Sequence, residues 1–218
     1  MISSDGNERF ASLRQRMVDS QVRGRGIADQ RVLDAMARVP RHEFAPEACR
    51  DQAYEDHPLP IGEGQTISQP YIVALMLDVL ALSPADRVLE VGTGSGYVTA
   101  LLAELAAEVV SLERHAALAD AARELLARME YDNVKVMVGD GSLGFLEGAP
   151  YDAIIVSAAA ADVPVALLAQ LREGGRMIIP VGSADSQQLQ LIRMENGQPR
   201  ITLRELCRFV PLISGPEY

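Results

Sequence analysis

The sequence has 218 residues, 48% of them hydrophobic and 23% charged. That size and balance exclude a disordered chain, a fibrous repeat and a disulfide mini-scaffold, and they predict a single domain over residues 1–218. Lys and Arg total 20 against 30 Asp and Glu, for a net charge of −10, which argues against a surface built to neutralise nucleic-acid phosphates. The charge is uneven: residues 1–50 hold nine Arg and seven acids, net +2, which leaves −12 for residues 51–218. The basic excess reads either as a positive face for an acidic ligand or as a solvated helical face. Only two cysteines occur, Cys49 and Cys207, with no Cys-x-x-Cys pair, so neither a disulfide framework nor a zinc site is expected and the usage fits a reducing compartment. The leading stretch Met1–Glu8 lacks a basic region followed by an apolar core. No apolar run reaches the ~18 residues of a membrane span, so a cytoplasmic chain without a membrane segment is the expectation.

In chain order, residues 8–57 carry helical spacing. Phe10, Leu13, Met17 and Val18 recur at intervals of three and four, and Val32, Leu33 and Met36 follow a candidate N-cap, Asp29, in a second helix that Pro40 ends. Asp56 to Gly64 is rich in turn residues and reads as a loop. A further helix opens at Pro70, with Tyr71, Ala74, Leu75, Leu77 and Val79 as its apolar surface.

From Asp86 onward, short apolar runs alternate with helical ones. Strands are predicted at Val88–Val91, Val109–Leu112, Val134–Val138, Ala153–Val156 and Arg176–Pro180, and helices at Tyr97–Ala107, Ala116–Glu130 and Val165–Leu171. This alternation predicts a parallel sheet covered on both faces. Leu189–Met194 and Ile201–Val210 alternate apolar and polar residues around Asn196-Gly197, the mark of an antiparallel hairpin closing the sheet.

Three strand ends carry ligand-capable residues. The first strand runs into Gly92-Thr93-Gly94-Ser95-Gly96, where glycines permit a tight turn and close approach of a ligand. The dinucleotide fingerprint needs its third glycine where Tyr97 stands, which weighs against a nicotinamide enzyme. Glu113 closes the second strand, where a carboxylate can accept both hydroxyls of a ribose. Asp140 and Gly141 follow the third, where a side-chain or backbone group could meet an adenine edge. Each of these alone also reads as a turn or cap residue. His42, His57 and His115 are scattered, with no partner at ligand spacing, so no metal is expected. The absence of Gly-x-Ser-x-Gly disfavours a serine hydrolase.

The Glu90 to Tyr97 string resembles the first motif of Rossmann-like S-adenosylmethionine methyltransferases. A second string, Gly64-Gln65-Thr66-Ile67-Ser68-Gln69-Pro70, reads plainly as a helix start capped by Ser68 or Gln69. It also resembles the protein L-isoaspartate O-methyltransferase family. Similar strings span roughly residues 14–213, among them Val39-Pro40-Arg41-His42, Leu112-Glu113-Arg114, Gly139-Asp140-Gly141, Ile179-Pro180-Val181-Gly182 and Phe209-Val210-Pro211-Leu212. Val91 and Leu112 stand where the family commonly has Ile.

The resemblance implies a doubly wound, mostly parallel seven-stranded sheet. An N-terminal helical and substrate-loop segment (1–69) would precede the S-adenosylmethionine-binding core (70–218). It implies methyl transfer from S-adenosylmethionine, leaving S-adenosylhomocysteine, to the free carboxylate of L-isoaspartyl residues in damaged proteins and peptides, which starts their repair through a succinimide; whether D-aspartyl residues are also acceptors is left open. Ser68 matches the family's active-site serine, with Thr66 beside it. Gln65, Thr66, Ile67, Ser68, Gly92, Thr93, Gly94, Ser95, Gly96, Glu113, Asp140 and Gly141 would hold the cofactor without metal. The chemistry agrees: a carboxylate of pKa ~4 is already ionised at neutral pH, so positioning rather than a strong base is required. The N-terminal helices and the loop through Ser68 are expected to cover the mouth of that site. A monomer acting on proteins and peptides, with no nucleic-acid or membrane partner, is the expectation. Competing readings are a methyltransferase for another acceptor, a binding module without turnover and, more remotely, a nicotinamide oxidoreductase.

Overall fold

The computed structural model describes residues 4–215; the first three residues of the leading stretch and the last three of the 1–218 unit lie outside them. Helix α1 (Ser4–Arg16) continues into a π-helical stretch, Met17–Val22, then a 3-10 turn, Arg23–Arg25, that ends at Gly26 with φ 96°. Helix α2 (Gln30–Arg38) starts as predicted: the Asp29 carboxylate accepts from the Arg31 N–H at 2.8 Å. Val39, held extended ahead of Pro40, ends it.

The Asp56–Gly64 stretch departs from the expected loop. Strands β1 (Leu59–Gly62) and β2 (Gln65–Ile67) form a small antiparallel hairpin. Its two-residue connection is Glu63-Gly64, with φ of 50° and 67°, the paired positive values a type I′ turn requires. Helix α3 (Pro70–Leu80) carries proline in its first turn. Its N-cap is Gln69, which makes no side-chain capping bond. Ser68 is therefore no helix cap, and that reading of it is withdrawn.

The core alternates as predicted: β3 (Arg87–Val91), α4 (Tyr97–Leu105), β4 (Glu108–Glu113), α5 (Ala116–Arg128), β5 (Val134–Val138), β6 (Tyr151–Val156), α6 (Val165–Leu168), β7 (Leu171–Gly182), β8 (Gln187–Glu195) and β9 (Gln198–Cys207). The seven strands β3–β9 make one sheet in the order β5-β4-β3-β6-β7-β8-β9, parallel through β7 and antiparallel beyond it. Two expectations shift. α6 stops at Leu168, and β7 begins at Leu171, because Arg172–Gly175 bulges out of register between Tyr151 and Ala153 of β6. The bulge turns on Gly174, whose φ is 72°. The last hairpin folds about Asn196-Gly197 as predicted, Glu195 pairing Gln198.

Alternate residues of the central strands serve two cores. Val88, Ala153, Ile155 and Ile178 join the larger one, packed with α1–α5. Leu89, Val91, Ile154, Val156, Met177 and Ile179 join the second, covered by the short α6 and its neighbouring loops. Both faces are dry, which is why these strands read as near-continuous apolar runs. The strand order reverses at β3, which pairs β4 on one side and β6 on the other. A crevice therefore forms beyond the carboxyl ends of β3 and β6. Among the described residues, no helix is long and apolar enough to cross a membrane.

Candidate active site

The crevice at the strand ends opens as a concave cleft, the kind of place where small-molecule sites form in open α/β sheets. Four stretches separated in sequence build it: Gln65–Ser68 from β2 onward, Val91–Ser95 with Tyr97 and Val98, Leu112–His115 from the end of β4 onward, and Val210–Ile213 beyond β9. Gly141, Ser157 and Ala158 complete the lining.

The glycine turn is shaped by conformation and by contact. Gly92, Gly94 and Gly96 have φ of 95°, 54° and 87°, a region side chains rarely enter. Gly92 and Gly94 open onto the cleft. Gly96 does not: it is the N-cap of α4 and packs on Ala122 and Leu126 of α5. The turn is fastened to β4, since Gly92 N and Thr93 N both donate to the Leu112 carbonyl, at 2.8 and 3.2 Å.

Glu113 is only 5% exposed, yet it lines the cleft. Its Oε2 accepts from Gly94 N at 2.9 Å and its Oε1 from His115 N at 3.0 Å. Each carboxylate oxygen keeps a second lone pair, so Glu113 can brace the glycine turn and still accept hydroxyls from a bound ribose.

Asp140 and Gly141 part company. Gly141 lines the cleft, and a β-carbon on it would drive into Val91 Cγ1. The Asp140 carboxylate is outside the lining and is spent locally: Oδ1 accepts from Ser142 N (2.9 Å) and Oγ (2.7 Å), and Oδ2 from Gly215 N (2.6 Å). Burial works against its charge, but the Ser142 and Gly215 bonds outweigh it and hold the carboxyl below its usual range.

Behind the turn, Glu90 is fully buried. Its Oε2 accepts from Thr99 Oγ1 at 2.5 Å and from Ser111 Oγ at 2.6 Å. With Ser111's proton committed to Glu90, Thr93 Oγ1 is the donor in its 2.5 Å bond to Ser111 Oγ. Glu90 Oε1 has no partner. Burial, with a smaller push from the Glu113 charge, overrides the two hydroxyl bonds and raises the Glu90 pKa to about 8.

The Thr66–Ser68 wall is held from behind by Arg41, which is fully buried. Arg41 Nε donates to the Ala53 carbonyl at 2.7 Å and Nη2 to the Ser68 carbonyl at 2.9 Å, and its guanidinium stands 4.8 Å from the Tyr97 ring centre. Burial lowers the Arg41 pKa and raises that of Tyr97 to about 12. No hydrogen bond within the described residues occupies the Thr66 or Ser68 hydroxyl. A second, outer recess adjoins the cleft, and the two share Thr66, Ser68, Ser157 and Val210.

Of the predicted site residues, Gln65, Thr66, Ile67, Ser68, Gly92, Thr93, Gly94, Ser95, Glu113 and Gly141 come together in the cleft, while Gly96 and Asp140 stand behind it. From the N-terminal segment, only the end of the β1–β2 hairpin through Ser68 reaches the lining. Helices α1 and α2 pack on one another, and α2 packs on α3 and α4; their buried apolar faces take them away from the mouth they were expected to cover. Sequence reasoning missed Arg41, Ser157 and the Val210–Ile213 wall as site residues. Ser157 follows the fourth parallel strand directly, the position that flagged the other three strand ends. Arg41 and Val210 lie inside strings that carry the family resemblance.

A seven-stranded sheet with this order, a glycine turn after its first parallel strand and a carboxylate after its second define a Rossmann-like S-adenosylmethionine-dependent methyltransferase. The family model described as protein-L-isoaspartate(D-aspartate) O-methyltransferase (PCMT) matches residues 12–217, and the chain belongs to that family. It is 55% identical over 209 residues to the protein-L-isoaspartate O-methyltransferase of Koribacter versatilis, covering 96% of this chain and 94% of the relative. Among solved structures, one protein-L-isoaspartate O-methyltransferase superposes with a TM-score of 0.83 at 29% identity, over 92% of this chain and 66% of that one. The Plasmodium falciparum PCMT, solved in complex with S-adenosyl-L-homocysteine, superposes with a TM-score of 0.80 at 30% identity, over 92% of this chain and 98% of that one.

Proposed function

We propose that this protein transfers a methyl group from S-adenosylmethionine to the free carboxylate of L-isoaspartyl, and also D-aspartyl, residues in damaged proteins and peptides, with Ser68 and Thr66 orienting the acceptor. The observation that carries the assignment of residues is the shared rim. The strand-end cleft and an outer recess meet at Thr66, Ser68, Ser157 and Val210, so a donor in one and an acceptor in the other would face each other across the uncommitted hydroxyls of Thr66, Ser68 and Ser157.

S-adenosylmethionine supplies a methyl group already activated on a sulfonium. The acceptor is ionised at neutral pH, so no residue has to remove a proton. What remains is alignment and exclusion of water, which can account for a large part of a barrier. The Ser68 hydroxyl can donate one hydrogen bond to the acceptor carboxylate and fix its attacking oxygen. Arg41, bonded to the Ser68 carbonyl, sets where that hydroxyl points. Glu113, with the backbone of Gly92–Ser95, would hold the cofactor's ribose and amino-acid ends. Arg208 on the wall of the recess adds positive charge on the path of an anionic acceptor.

Residues 1–69 and 70–218 act on this reading as one working unit, since each contributes a wall of the cleft. The unit is taken to be a cytoplasmic monomer. Two free cysteines support a reducing compartment, and no nucleic-acid partner is invoked.

The test compares methylation of an isoaspartyl peptide with that of its normal aspartyl twin, in the wild type and two variants. The wild type should methylate only the isoaspartyl peptide. Ser68→Ala should leave stability intact, because Gln69 and not Ser68 is the N-cap, and should slow methylation by about tenfold or more, the scale of one hydrogen bond to a charged group. Ser68→Asp should fold and bind S-adenosylmethionine but barely turn over, since its charge repels the acceptor. Wild-type turnover by Ser68→Asp would remove the role given to Ser68, and equal methylation of both peptides would remove the substrate.

A further inference from the structure

The last hairpin turns on Asn196-Gly197, the only Asn-Gly pair in the chain. Both residues are exposed and both have positive φ, 55° and 72°. Such a pair is chemically fragile. The Gly197 nitrogen can lose its proton and attack Asn196 Cγ; a C–N bond forms, the side-chain nitrogen leaves as ammonia with that proton, and a succinimide results. Water then opens the ring at either carbonyl. Opening at Cγ gives aspartate, and opening at the backbone carbonyl gives isoaspartate.

In the folded protein one side chain is aimed at this chemistry. Glu173, exposed on the bulge at the start of β7, places Oε1 2.6 Å from Asn196 N and Oε2 3.0 Å from Gly197 N. The attacking nitrogen is thus tied by its own N–H to a carboxylate. Removing that proton would create an amide anion beside a fixed negative charge, and the nitrogen would have to break the bond to swing toward Cγ. The chain's other Asx-Gly pairs are differently placed. Asp5-Gly6 lies within α1, and at Asp140-Gly141 the hydrogen bonds from Ser142 and Gly215 favour the ionised carboxylate, a poor electrophile. Asn196 is a neutral amide and has no such protection of its own.

We propose that Asn196-Gly197 is a deamidation site of this protein, kept intact by the Glu173 clamp, and that the isoaspartate formed when the clamp fails is an acceptor for a second copy of the enzyme. The clamp needs no activity, while the acceptor step rests on the function proposed above. Repair within the same molecule is excluded by topology. β8 runs antiparallel to β7, so the turn lies at the amino ends of the parallel strands, across the sheet from the cleft at their carboxyl ends.

The experiment ages the wild type, Glu173→Ala and Glu173→Gln side by side at neutral pH. Conversion of the tryptic peptide Met194–Arg200 is followed by mass spectrometry, with fragmentation that tells isoaspartate from aspartate. Urea-unfolded wild type gives the unclamped rate, and thermal unfolding checks that the variants fold. The folded wild type should convert far more slowly than the unfolded chain. Glu173→Ala should convert about tenfold or more faster than the wild type, the scale of losing a charge-assisted hydrogen bond. Glu173→Gln, with one neutral acceptor left, should fall between. Equal rates for all three folded proteins, or a folded wild-type rate equal to that in urea, would overturn the clamp. Aged Glu173→Ala is then offered to fresh wild-type enzyme with labelled S-adenosylmethionine. Label in Met194–Arg200 supports the acceptor step, and a proven isoaspartate at 196 that takes no label overturns it. An unrelated isoaspartyl peptide in the same assay shows separately whether the enzyme is active.

Discussion

Glu90 sits at the end of the Thr93–Ser111 hydroxyl chain, one side of which faces the cleft, and its ionisation can be read through stability. Its pKa rises from 4.5 to about 8 on folding. A rise of that size corresponds to a penalty on the order of 5 kcal/mol for holding the carboxyl ionised in the fold. The sign follows from which state holds the proton. Below pH 4.5 both states are protonated and the group adds no pH dependence. Between 4.5 and about 8 the unfolded chain is ionised while the native state keeps its proton, so stability falls as pH rises. Above about 8 both are ionised and the penalty is constant. Glu90→Gln keeps a carbonyl oxygen for Thr99 and Ser111 but cannot ionise. Urea unfolding of both proteins at several pH values between 5 and 8 should show the variant gaining on the wild type by about 1.4 kcal/mol per pH unit. Other titrating groups cancel in the difference. A difference that does not change with pH would show that Glu90 ionises alike in both states, and the buried carboxyl would lose the character assigned to it.

Two further outcomes follow from the cleft's walls. Glu113→Ala should weaken S-adenosylmethionine binding by about 1–3 kcal/mol, measured by titration calorimetry, because it removes a charged acceptor and frees the Gly94 amide. Gly141→Ala forces a methyl group against Val91 and should lower stability by about 1–3 kcal/mol in chemical unfolding, with cofactor affinity falling alongside.

Much of this architecture is legible from residue pattern. The strands of the parallel core are buried on both faces, so each announces itself as an unbroken apolar run. Asn196-Gly197 marks its hairpin because few other pairs accept two positive φ angles. The glycine turn and Glu113 follow from chain order once the strands are set. The elements that escaped have equally physical reasons. β1 and β2 are four and three residues long, too short for alternation to show, and Pro58, Pro60, Gly62 and Gly64 in and around them read as loop. Ser68 looked like a cap because serine is among the preferred N-cap residues and it stands just ahead of the helix that Pro70 opens. Here the residue before the proline, Gln69, takes the N-cap position without using its side chain. Asp140 was drawn toward a ligand by its position at a strand end, but a short polar side chain beside glycine satisfies itself on the nearest backbone amides first. The Val210–Ile213 wall has no periodicity. It is placed by long-range backbone bonds: Ala159 N donates to the Val210 carbonyl at 2.8 Å, and Leu212 N to that of Ala159 at 2.7 Å.

That last pair of bonds has a bearing on how the protein comes into being on the ribosome. Most of the parallel sheet, the glycine turn and Glu113 are complete once β7 has emerged, yet a growing chain at that point lacks the wall formed by residues 210–213. It also lacks Arg208 and Phe209, which line the outer recess beside that wall. Both arrive only after β8 and β9 have been laid down and the segment beyond them has docked on Ala159. A translation product cut short before that point would lack one wall of the cleft and part of the recess beside it. If the cleft holds the methyl donor as proposed, its affinity would depend on the final stretch of synthesis, and truncated copies would bind the donor poorly.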